Sequence, residues 1–133
     1  MLHFYKILGD CYYYLDHWKD AEKVYYDAFL TFVKSHDESV KRNMIIDSQD
    51  YFEQFKIAAY LFATTETVPE VITKILTQIG NTKNKLGKFD EAIEAEKLNE
   101  TLKKKIYEDD QAHPDLIATV MNKTCFTIEK RIR

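Results

Sequence analysis

Two kinds of landmark return at one fixed distance along this chain. Gly9 and Gly80 lie 71 residues apart, and so do Ala21 and Ala92. Each glycine sits inside a stretch that otherwise reads as helix, and each alanine opens the next helical stretch. A glycine in a helix interior costs about 1 kcal/mol relative to alanine. Two of them at one offset therefore call for a compensating reason, and close approach of two helix backbones supplies it. The offset equals two periods of about 35 residues, the length of a two-helix repeat unit.

The periodicity around these landmarks gives the elements. Residues 2 to 16 predict a helix in which Tyr5, Leu8, Gly9, Tyr12 and Leu15 form one apolar stripe. Phe4, Ile7, Cys11 and Tyr14 form a second stripe beside it. More than half of such a helix is apolar, so it is expected to be buried on two sides. After a break near Asp16 and His17, residues 19 to 34 predict a second helix carrying Ala21, Val24, Tyr25, Ala28 and Phe32 on one face. Tyr13 and Tyr26 fall outside the main stripes and are expected on an exposed contact surface.

The pattern returns further on. Thr67-Val-Pro-Glu70 has capping-box spacing and a first-turn proline, so a helix should begin there. Its apolar stripe is Ile72, Ile75, Leu76, Ile79 and Leu86, and after the turn at LGKFDEA a long helix runs to about residue 108. His113-Pro114-Asp115 starts a last helix, with His113 as its cap and Leu116, Ile117, Val120, Met121, Thr124 and Ile128 as its apolar face. Between the two matching regions a degenerate pair is expected at about 38–47 and 50–64, where Phe55 and Ala58 echo Trp18 and Ala21. The reading is thus all-α, about seven helices in one domain. It comprises repeat one at about 2–35, a degenerate repeat at 36–66, repeat three at 68–109 and a final helix at 114–131.

Charge and motifs narrow the function. Nineteen Lys and Arg stand against 22 Asp and Glu, a net charge of −3. Nucleic-acid and membrane-surface binding are disfavoured, since both need a basic surface. The longest apolar run, residues 57–63, is far too short to span a bilayer. With two cysteines, Cys11 and Cys125, both expected as small buried hydrophobes, a reducing, cytoplasmic location is the simpler expectation. His3, His17, His36 and His113 have no metal-ligand spacing, and neither a phosphate loop nor a nucleophile elbow is present. No enzyme activity, cofactor or metal is expected. The lysines at 103–105 read as dipole-matched charge at a helix C-terminus.

Tyr5, Leu8, Gly9, Tyr12, Trp18, Ala21, Tyr25 and Ala28, then Leu76, Ile79, Gly80, Leu86, Gly87, Phe89 and Ala92, resemble the pattern of the tetratricopeptide repeat family. The second set departs from it at Lys83, Glu96 and Asn99, where two aromatics and an alanine are usual. AHPDLIATVMN at 112–122 is similar to the longer repeats of kinesin light chains and their relatives. The resemblance implies an antiparallel helical-hairpin solenoid acting as a protein-interaction scaffold, with a peptide or partner helix in its concave groove. It places His3, Lys6, Asp10 and Tyr13 on that groove in repeat one. Lys74, Thr77, Asn81, Asn84 and Lys85 follow in repeat three, and Asn122 in the last helix. Asparagine both donates and accepts, which suits a peptide backbone, and lysine suits an acidic group.

Two alternatives accompany this reading. A repeat unit cannot cover its own ends, so the stripe of Phe4, Ile7 and Tyr14 is expected to self-associate or to meet further repeats of a longer protein. The other is a peptide-sensing regulator whose solenoid changes pitch on binding.

Overall fold

A computed structural model describes residues 2–36, 52, 56 and 70–132. Every element among them is helical: α1 over Leu2–Tyr14, α2 over Trp18–His36, α3 over Glu70–Lys85, α4 over Phe89–Ile106 and α5 over Pro114–Ile132. The degenerate repeat expected at 36–66 lies outside the described residues, apart from Phe52 and Lys56. The expected capping residue Thr67 also lies outside them.

The two glycines act as the sequence suggests. A Cβ on Gly9 would lie 2.7 Å from Cδ1 of Tyr25, a residue of α2, so α1 rests on that ring with nothing between. A Cβ on Gly80 would lie 2.7 Å from Oε1 of Glu96, so α3 rests on a carboxyl group of α4. Tyr25 and Glu96 are themselves 71 residues apart.

The turns repeat as well. His17 N–H donates to the Tyr12 carbonyl at 2.9 Å and Asp16 N–H to that of Tyr13 at 3.1 Å. Lys88 N–H donates to the Lys83 carbonyl at 2.9 Å and Gly87 N–H to that of Asn84 at 3.1 Å. Each pair of bonds is a Schellman closure, which needs a left-handed residue just after the helix. Asp16, with φ 62°, and Gly87, with φ 77°, supply it.

The core forms where α2, α3 and α4 meet. Ala21, Tyr25, Phe29 and Leu30 from α2 pack with Ile72, Ile75, Leu76 and Ile79 from α3 and with Ala95 and Leu102 from α4, and Phe52 joins them. Each large side chain buried here contributes about 2 kcal/mol. α1 and α2 pack along each other, as do α3 with α4 and α4 with α5. α2 also packs directly on α3, and α1 touches α3. Among the described residues, then, the offset of 71 corresponds to one packing step.

Lys83 fastens that step. It is buried, with Nζ 3.2 Å from Glu22 Oε2 of α2 and 3.2 Å from Glu91 Oε2 of α4. The same ammonium lies 5.2 Å above the rings of Tyr26 and Phe52. Tyr26, expected to be exposed, is 2% accessible because it sits beneath this cation in the α2–α3 contact.

Three further expectations are corrected. α1 is buried on one side only, against α2 and α3. Its second stripe is bare, with Phe4 62%, Ile7 61% and Tyr14 76% accessible. Cys11 and Cys125 are exposed rather than buried. α5 is turned relative to its expected face: Leu116, Thr119 and Phe126 point inward, while Ile117, Val120, Met121 and Ile128 are exposed. The reason is the polar surface of α4 that it meets. Lys103 Nζ donates to Thr119 Oγ1 at 2.8 Å, and Lys123 Nζ donates to Glu100 Oε2 at 2.7 Å. Polar side chains on α5 answer polar ones on α4, and the most apolar stripe is left outside.

A candidate peptide-binding cleft

The side chains of α1 and α3 that face away from the core meet along a hydrogen-bonded line. Asp10 holds its centre. Lys6 Nζ donates to Asp10 Oδ2 at 2.6 Å, one helical turn away. Tyr25 Oη donates to Asp10 Oδ1, and Gln78 Nε2 donates to the same oxygen at 3.0 Å. Burial alone would raise the Asp10 carboxyl, but the bonds from Lys6, Tyr25 and Gln78 outweigh it and hold the group below the usual carboxylate range. Burial, followed by the bond to Asp10, pushes the Tyr25 phenol far up, so it stays a donor. Asn81 Nδ2 extends the line by donating to Gln78 Oε1 at 3.1 Å.

Beside this line lies a cleft of about 320 Å³, walled by Lys6, Asp10 and Tyr14 of α1, Thr73, Lys74, Thr77 and Gln78 of α3, Lys103 of α4 and Asp115 of α5. The cations in it differ. Lys6 is neutralised by Asp10. Lys74 is exposed and forms no ion pair among the described residues. Lys103 is buried, and Nζ donates to the Asp115 carbonyl at 3.1 Å and to Thr119 Oγ1 at 2.8 Å, but it forms no ion pair among the described residues. Burial lowers the Lys103 ammonium, opposed by the charges of Glu96 and Asp115. An anion in the cleft would oppose that lowering and favour the charged form.

Behind Lys103, the α3–α4 contact is polar. Asn99 Nδ2 donates to Thr77 Oγ1 at 2.7 Å. Glu96 is fully buried, and neither carboxyl oxygen has a hydrogen-bond partner. Burial raises its pKa to about 8, with Lys103 opposing the shift. Burial thus draws Glu96 toward its protonated form.

Of the residues expected on a groove, the structure brings Lys6, Asp10, Lys74 and Thr77 to the cleft. Tyr14, expected in self-association, also lines it. Tyr13 is half-buried against the core instead. Asn81 stands one hydrogen bond behind the wall, and Asn84 Nδ2 reaches Glu129 Oε2 of α5 at 3.5 Å. His3, Lys85 and Asn122 do not line the cleft. Sequence reasoning missed Gln78, Thr73, Lys103 and Asp115. Lys103 was findable: it follows Glu96 and Asn99 by seven and four residues, so it lies on the inward face of α4 and not with the solvated Lys104.

His113 caps α5 as expected, its Nδ1 accepting from the Asp115 N–H at 3.2 Å. The Tyr107 ring stacks on His113 at 3.8 Å, and its hydroxyl donates to Asp115 Oδ2 at 2.9 Å. These contacts fix the end of the cleft formed by Asp115. No described helix is long and apolar enough to cross a membrane.

Protein-family models, curated proteins and solved structures give no significant match to this chain.

Proposed function

We propose that this chain is a tetratricopeptide-like solenoid module, without catalytic activity, that holds an acidic, extended peptide of a partner protein in the cleft between α1, α3 and α5. One observation supports the reading: Lys74 and Lys103 face a single cleft, and neither forms an ion pair with a carboxylate among the described residues. Gln78 and Thr77 stand between them as groups able to meet a peptide backbone. Asp10 does not repel such a ligand, because Lys6, Tyr25 and Gln78 already occupy it. The common offset of glycines, turns and inter-helix contacts supports the repeat reading.

Selection from a library of random 12-residue displayed peptides tests it. Enriched sequences should carry Asp or Glu, and Lys74→Glu should weaken their binding at least tenfold. Selected peptides that are neutral, or that bind Lys74→Glu and Gln78→Ala unchanged, would overturn the reading.

The bare stripe of Phe4, Ile7 and Tyr14 favours a second reading, self-association through α1. Light scattering over a range of concentrations separates the two. A mass that rises with concentration and returns to the monomer in Ile7→Asp supports the second.

A further inference from the structure

Away from the cleft, α4 and α5 enclose a second hollow of about 490 Å³ whose chemistry is different. Its floor is apolar, with Ile93 of α4 and Ile128 of α5. Its rim is cationic: Lys97, Lys123, Lys130 and Arg131 stand against one acid, Asp90. Lys123 is paired with Glu100 and Lys130 with Asp90. Lys97 and Arg131 are exposed and form no ion pair among the described residues.

The hollow continues into the bare stripe of α5. Ile117, Met121, Ile128 and Ile132 recur at three- and four-residue multiples and are all exposed, Met121 at 61% and Ile132 at 77%. At 1.5 Å per residue this stripe runs about 22 Å, or four turns of a helix laid along it. An apolar strip of that length beside a groove between two helices fits a third helix, whose ridge of side chains enters the groove. The cationic rim selects the charge of its flanks.

We infer that the α4–α5 groove docks an amphipathic helix of a partner protein, apolar on one face and acidic on both flanks. Charge complementarity sets this choice. Nucleic acid would need phosphate contacts throughout, whereas the middle of this surface is isoleucine and methionine and the chain as a whole carries −3. A second copy offers the bare face of α1, but the one acid of α1 is Asp10, which is tied inward to Lys6 and Tyr25. That face has nothing to pair with Lys97 and Arg131. This surface is separate from the cleft and does not depend on its function.

The test uses the intact chain and a fluorescein-labelled 18-residue peptide with leucine at helical a and d positions and glutamate on its flanks. A lysine-flanked version and a single-stranded oligonucleotide of 18 nucleotides serve as competitors of other chemistry. Fluorescence anisotropy should show the glutamate peptide binding at least tenfold more tightly than either, and weakening as salt is raised. The pair Lys97→Glu with Arg131→Glu, both at exposed positions, should reduce binding at least tenfold, while Lys74→Glu leaves it unchanged. Equal binding of both peptides, preference for the oligonucleotide, no binding at all, or indifference to the charge reversals would overturn the inference. So would a concentration-dependent mass abolished by Ile128→Asp, which would give the groove to a second copy.

Discussion

The first helix pair, α1 with α2, and the second, α3 with α4, share one backbone plan but fill it differently. Both place a glycine against the facing helix and close with the same left-handed turn. Where the first pair has Tyr12, Tyr25 and Ala28, the second has Lys83, Glu96 and Asn99. The first set makes an apolar contact edged by the Tyr25 phenol, which donates to Asp10 and accepts from Gln78. The second makes a polar interior: an ammonium shared by two carboxylates, a buried carboxyl group, and an amide held by Thr77. Backbone geometry thus rests on small residues and turn conformation, and the chemistry of the filling can change around them. The polar filling also leads to Lys103 and so joins the second pair to the cleft.

The largest expected difference between the pairs is in their response to pH. Glu96 has a folded pKa near 8 against 4.5 for the free group, so the fold favours its protonated form. That stability is fully present below pH about 4.5. It declines as pH rises toward about 8 and is level above, a loss of about 5 kcal/mol over the window. Urea unfolding at pH 5, 6.5 and 8.5 should show midpoints falling with pH in the native chain, and a much flatter series in Glu96→Gln. A parallel fall in the variant would contradict the assignment.

Next comes Lys83. Its removal in Lys83→Ala takes this partner from Glu91, leaves Glu22 only the more distant Lys88 at 3.8 Å, and takes the cation from above Tyr26 and Phe52. Because both carboxylates keep some contact with water, the cost should be about 3 kcal/mol, at the lower end for a buried pair. Tyr12→Ala, at the corresponding but half-buried position, should cost less, as chemical denaturation would show.

The glycines sharpen the comparison. In Gly9→Ala the new methyl meets the anchored ring of Tyr25, and we expect a loss of about 2 kcal/mol. In Gly80→Ala its nearest neighbour is the end of a Glu96 side chain. The gain in helix propensity, about 1 kcal/mol, should then offset most of the contact. The smallest effects belong to the turns. Asp16→Gly should stabilise by roughly 0.5–1 kcal/mol and Gly87→Ala destabilise by about 1 kcal/mol, since both positions hold a positive φ. Melting temperatures of the four variants would order them.

What could be read from the sequence follows from where the information sits. Gly9 and Gly80 announce close approach because a glycine inside a helix is otherwise a cost, and the His113 cap is local to its own turn. The filling of the second pair was hidden. Lys83, Glu96 and Asn99 look like surface residues until their partners, supplied by α2 and α3, are in place. The face of α5 was misjudged for the same reason. Its periodicity shows the most apolar stripe, while its orientation is decided by Glu100 and Lys103 on the neighbouring helix. The cleft was half legible: Lys6, Asp10, Lys74 and Thr77 were named, but Asp10 proved to be an internal anchor and Lys103 was read as solvated charge.

The most direct test of the proposed function is an amide and methyl NMR map of the labelled chain titrated with the tightest acidic peptide from the selection. The account predicts that the largest shifts cluster at Lys6, Lys74, Thr77, Gln78 and Lys103, while Ile93 and Ile128 stay unmoved. Shifts confined to the outer face of α5 or to the Phe4, Ile7 and Tyr14 stripe would contradict it.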